Sequence, residues 1–266
     1  RIVTAIVAVL LIAGTVTLYL VIAHAHVVTD PDDMAGVLSS YAGMGLLICL
    51  VFAILSGPII RGLVRLIKTL PFAGTAGFLA SREANARPQL TQALVVPITL
   101  AAAAVGIMAA WINELTTVMA AQAGSEEKVN APPRQMALLL GGPVIVACVC
   151  ASAIVFATAS HRRADNALLL VSGVTPGVIR AKALVEAGIH AVICLVCAYG
   201  IVVVNDVSMA KALSTGPVPS VPILAPGWQA AGVVAVGIAL TLLLLLAVTA
   251  DGMHRNPVTT ITGGHQ

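Results

Sequence analysis

Charge is what this chain lacks. Asp, Glu, Lys and Arg make up 9% of its 266 residues, against 59% hydrophobic residues, and the mean hydropathy is +1.02. A soluble domain carries roughly 25% charged residues, so an aqueous fold would lack the polar surface it needs. A bilayer is the natural solvent. Signature motifs are missing too. There is no G-x-x-x-x-G-K-[ST] phosphate loop, so any ATP-binding site of that kind must reside on another chain. Neither H-E-x-x-H nor G-x-S-x-G occurs, and no catalytic constellation of an intramembrane enzyme replaces them.

What is present is hydrocarbon in long runs. A spanning helix needs roughly 20 mostly apolar residues, and six segments qualify: Ile2–Ala23, Leu38–Ile60, Thr91–Ile112, Ala137–Ala159, Leu184–Val204 and Trp228–Ala250. The runs are continuous rather than alternating, which predicts helices and not a barrel. The expected fold is therefore all-α, a polytopic membrane protein of six transmembrane helices. All five cysteines (Cys49, Cys148, Cys150, Cys194, Cys197) fall inside these spans and behave as small apolar residues, so no disulfide framework is implied.

The few charges set the orientation. With Arg1 inside, the inner segments hold Arg61, Arg65, Lys68, Arg82, Arg87, Arg162, Arg163, Arg180, Lys182 and Arg255 besides Arg1, leaving only Lys128, Arg134 and Lys211 of the 14 basic residues outside. That bias satisfies the positive-inside rule. Tyr19, Tyr41, Trp111, Tyr199 and Trp228 all lie toward the outer ends of the spans, where amphipathic rings favour the headgroup level. Both termini are expected in the cytoplasm. The net charge of +3 is then topological, facing anionic lipid rather than nucleic acid.

The spans group as a helix pair, residues 1–70, followed by a four-span domain, 71–266. Their inner connection contains Phe78, Arg82, Glu83 and Arg87 at helical spacing, which reads as a short interfacial helix or as an ordinary basic juxtamembrane loop. Pro88 suits an elbow after it. Outer loops at 113–136 and 205–227 are too short to bury cores of their own.

The inner segment 161–187 carries the densest pattern. Leu168, Leu169 and Leu170 are too apolar for a free loop and too short to span. Gly173 suits a helix stop with positive φ, and Thr175 before Pro176 suits an N-cap followed by a first helical residue. Arg180 rides on the helix that follows. Such a knob can dock in a partner's groove, or its leucines can rest on the bilayer; residue chemistry leaves both open.

Two further groupings were weighed. Glu186 and His190 form an i,i+4 pair near the inner end of the fifth span, the minimum for a proton relay, although Glu186 could instead face interfacial water or Arg180 and Lys182. His24, His26, Asp30, Asp32 and Asp33 in the first outer loop offer zinc-type ligands without a scaffold, and no metal is assigned.

The run Ala167–Arg180 (ALLLVSGVTPGVIR), with Leu184-Val-Glu186-Ala187, resembles the signature of FtsX-like (MacB-type) ABC transporter permeases. The upstream LASREANARP, Leu79–Pro88, is similar to that family's amphipathic helix, and Arg255-Asn-Pro257 to its basic ending. The likeness covers about residues 75–262 and departs from the family in two places. Only a modest loop stands where members commonly carry a large extracellular domain, and the charged run opening the coupling segment is thinned to His161-Arg162-Arg163-Ala164-Asp165.

The resemblance implies a plasma-membrane subunit of a bacterium, either the C-terminal half of a ten-span permease or a half-size subunit. It implies that 161–182 couples to a separate ABC ATP-binding subunit, which holds the ATP and Mg, and that a second permease half or a homodimer mate is required. The expected cargo is amphipathic: lipid, lipoprotein or peptide. A non-transporting complex that controls an outer-face partner such as a wall hydrolase is the alternative, and a proton-coupled carrier a weaker one.

Overall fold

The computed structural model describes residues 9, 12–17, 31–68, 75–86, 88–122, 133–213 and 228–254. Among them every regular element is helical. Six helices follow one another: α1 (Pro31–Lys68), α2 (Thr75–Ala86), α3 (Pro88–Gln122), α4 (Pro133–Val171), α5 (Pro176–Leu213) and α6 (Trp228–His254). Residues 12–17 are also helical; the rest of the first predicted span, apart from Val9, lies outside the described residues, as do His24, His26, Arg87 and the tail from Arg255.

Among the described residues four stretches are long and apolar enough to cross a membrane: Gly43–Ile67, Pro88–Ile112, Pro176–Val207 and Ala230–Ala250. A fifth candidate is α4, whose Val144–Ala159 and Arg162–Val171 segments meet at 48°. Among the described residues the protein is thus all-helical, with several helices long and apolar enough to cross a membrane. Just before the bend the Thr158 hydroxyl lies 3.0 Å from the Ile154 carbonyl and 3.2 Å from that of Val155, a back-bonding that often accompanies bends. Pro58 and Pro97 sit inside α1 and α3; neighbouring helices make prolines tolerable in spans.

The helices outrun their hydrophobic runs. The expected outer loops at 113–136 and 205–227 are shortened, because α3 continues to Gln122, α4 begins at Pro133 and α5 continues to Leu213.

The chain packs as two compact units. The first takes Arg1–Ser56, Thr99–Ile145 and Val196–Val233; the second takes Gly57–Ile98, Val146–Leu195 and Val234–Gln266. In the first, Ala101, Ala102, Ala103, Ile107, Ala198 and Val202 are buried. Small side chains let helices approach closely without a hydrophobic driving force. Gly106 shows how close: a Cβ there would lie 2.6 Å from Val202 Cγ2 and 3.2 Å from the Ala230 Cβ. Val202 is β-branched and cannot swing aside at χ1. Gly106→Ala is therefore expected to destabilise the protein by about 1–3 kcal/mol through overpacking. Thermal unfolding of the full chain in detergent checks this, and an unchanged transition would refute the close approach.

The second unit buries Ile60, Val64, Leu94, Ile98, Ile179 and Ile193. Apolar residues also face outward, among them Leu66, Val149 and Phe156. In a spanning helix such faces meet lipid.

Candidate functional site

The second unit ends in a helix–turn–helix elbow built by local sequence. Gly173 has φ +90°, a conformation glycine adopts without Cβ strain. Its N–H donates to Leu170 O (3.0 Å), and the Val174 N–H reaches back to Leu169 O (3.0 Å). Those two bonds make a Schellman stop, which satisfies carbonyls that the end of α4 would otherwise leave orphaned. The Ser172 hydroxyl adds a 2.8 Å bond to the same Leu169 O. Thr175 then offers its carbonyl to Val178 N (3.0 Å) and Ile179 N (3.4 Å), and α5 opens on Pro176, whose fixed φ suits a first helical residue.

This elbow presents apolar surface. Leu168 is 57% exposed and Val171 68%; Leu169 and Leu170 are half-buried, while Gly173, Thr175, Pro176 and Arg180 are exposed. Ala167 and Ile179 are buried, at 3% and 2%, and anchor the two arms. Val171, the most exposed apolar side chain of the elbow, was not among the residues singled out from sequence. Its place in the Leu-Leu-Leu-Val run was the available signal.

Behind the elbow lie charges that the sequence paired differently. Glu186 was expected to face interfacial water or Arg180 and Lys182. It is buried, at 6% exposure, and bonds Arg162 of α4. Arg162 Nη1 stands 2.9 Å from Glu186 Oε1 and donates to Oε2 at 3.1 Å. Arg162 Nε donates to the Thr158 hydroxyl at 3.4 Å, so one guanidinium joins the α4 bend to α5. Lys182, equally buried, pairs with Glu83 of α2 instead of with Glu186. The i,i+4 spacing of Lys182 and Glu186 permits a contact along α5, but carboxylates and cations on three different helices complete both pairs.

Phe78 on α2 is 57% exposed, and the Arg82 guanidinium lies 5.4 Å from its ring centroid. This is a cation–π contact on a helix whose opposite face buries Ala80. Helix α2 thus offers an apolar ring and a cation outward while Glu83 turns in to Lys182. A small cleft between Glu83, Arg162, Asn166, Lys182, Glu186 and Leu245 marks where the pairs converge.

His190, one turn beyond Glu186, is 2% exposed, and its Nδ1 has no hydrogen-bond partner. No group of three or more His, Cys, Asp or Glu side chains that could hold a metal occurs among the described residues.

An exposed apolar tip is held by a stiff turn, and its two arms are cross-linked to each other and to α2 by buried ion pairs. No protein-family model matches the chain, and neither does any curated protein or solved structure.

Proposed function

We propose that the chain is a membrane-spanning permease subunit of an ABC transporter. It has six spans with both ends in the cytoplasm, and the elbow Leu168–Arg180 receives a separate ATPase. ATP-driven closure of the ATPase pushes on the elbow. The Arg162–Glu186 and Lys182–Glu83 pairs keep α4, α5 and α2 from yielding independently, so the push travels along the spans as a rigid displacement. A second permease half completes the complex, and the cargo is a lipid, lipoprotein or peptide with amphipathic character.

One observation carries this reading: outward-facing Leu168 and Val171 sit on a Schellman-terminated turn backed by buried ion pairs. A loop resting on lipid needs no such frame. Glu186 is occupied by Arg162, so a proton relay through Glu186 and His190 forms no part of the mechanism.

The test is isolation of the native complex with a photo-crosslinker at position 168. A P-loop ATPase joined at that position is the expected product. Its absence from both the complex and the crosslink would overturn the reading, and an outer-face hydrolase found instead, with no translocated cargo, would replace it with the signalling alternative.

A further inference from the structure

Within the first unit, Asp206 is the only Asp, Glu, Lys, Arg or His among the described side chains. It and its neighbour Asn205 are 1% and 2% exposed. Asn205 Oδ1 and both carboxylate oxygens of Asp206 have no hydrogen-bond partner. Asn205 is closely packed: a Cβ built on Gly45 would lie 3.2 Å from Asn205 Oδ1 and 2.7 Å from Ile107 Cγ2. The backbone of α1 and an isoleucine of α3 thus close on the carboxamide.

Burying an uncompensated carboxylate is costly, and ionisable residues within spans mark ligand or ion sites by default. Buried acceptor oxygens on two adjacent residues of α5, without a hydrogen-bond partner among the described residues, call for a cation rich in donors. A divalent metal is a poor match, because hard cations take six or more oxygen ligands and only one carboxylate occurs among the described side chains of this unit. A primary ammonium carries one charge and three N–H donors. Depth points the same way. Asp206 follows the apolar run that closes at Val204, and the end of such a run is where the polar headgroup of an amphiphile lies. Val203, Val204 and Val207, one turn or less away, are 41%, 55% and 43% exposed and offer an apolar rim for a tail.

We propose that Asn205 and Asp206 bind the primary ammonium group of a membrane-partitioning amphiphile, such as an aminolipid headgroup or a free alkylamine. The site does not depend on the ATPase reading.

Trp111 supplies the probe. It lies one turn beyond Ile107 on the same face of α3, its Nε1 is buried without an acceptor, and only one other tryptophan, Trp228, exists. The full chain carrying Trp228→Phe, in phosphatidylcholine nanodiscs, is titrated with decylammonium and with decyltrimethylammonium, which has the same charge and tail but no N–H.

Decylammonium is expected to change Trp111 emission saturably. The trimethyl analogue and Asp206→Asn should each weaken apparent affinity by about tenfold or more, the loss of a charge-assisted hydrogen bond. Asp206→Asn removes a buried charge and is expected to fold; an unchanged thermal transition checks that. Phosphatidylethanolamine in the nanodisc should compete if the lipid headgroup is the occupant, and leaves the titration unchanged if the free amine is. Equal responses to the two amines, or an unaltered titration in Asp206→Asn, would overturn the site. So would a response that arises only in Lys211→Gln, since the cation would then be the chain's own.

Discussion

Arg162→Ala is expected to destabilise the protein by about 3–5 kcal/mol, the cost of leaving one member of a buried ion pair without its partner. The side chains of Arg162 and Glu186 are 13% and 8% exposed, so water can do little to compensate the orphaned carboxylate. The same substitution removes the donor to Thr158 at the α4 bend. The double variant Arg162→Met with Glu186→Leu should recover most of the loss, because well-packed apolar residues replace a buried pair at little or no net cost. Chemical denaturation in detergent measures both. A double variant no better than the single would show that the two side chains do not act as a pair.

The second pair is expected to matter less to stability. The Glu83 side chain is 22% exposed, so Glu83→Gln should cost about 1 kcal/mol or less, as for a partly solvated bridge.

These pairs also mark the boundary of what the sequence discloses. The long apolar helices were legible because hydropathy is a local property, readable in any window of about 20 residues. The turn was legible for the same reason: Gly173, Thr175 and Pro176 act on their own backbone. Arg162 and Glu186 stand 24 positions apart, and Lys182 finds a carboxylate on a helix roughly a hundred residues upstream. Only packing chooses among such partners, and the i,i+4 rule pointed Glu186 toward its own helix instead. Helix ends were misread where the end of a hydrophobic run was taken as the end of a helix. Asp206 ends the hydrophobic run that closes at Val204, yet α5 carries it inside the first unit and continues to Leu213. Arg61 and Arg65 likewise ride on α1, exposed, because a helix can keep cations on one face while Ile60 and Val64 are buried on another.

If the chain is the permease subunit proposed above, Gly173→Pro and Leu168→Asp are expected to uncouple ATP hydrolysis from transport by different routes. Proline fixes φ near −65°, where residue 173 requires +90°. It also deletes the N–H that bonds Leu170 O. The Schellman stop cannot form, so the tip would no longer be fixed to its arms. The partner ATPase should still bind and turn over, with transport reduced by roughly tenfold or more, if a stiff turn is what carries the push. Leu168→Asp leaves the backbone bonds intact and changes only an exposed side chain. An apolar contact worth about 1.5–3 kcal/mol on burial would be replaced by a carboxylate needing solvation, so ATPase affinity should fall by at least about tenfold. Leu168→Met keeps the apolar contact and should behave as the parent. The pair of variants thus separates grip from stiffness, through copurification on one side and ATPase-to-transport stoichiometry on the other. Normal coupling in both would mean that the elbow rests on lipid, because neither grip nor stiffness would then be in use.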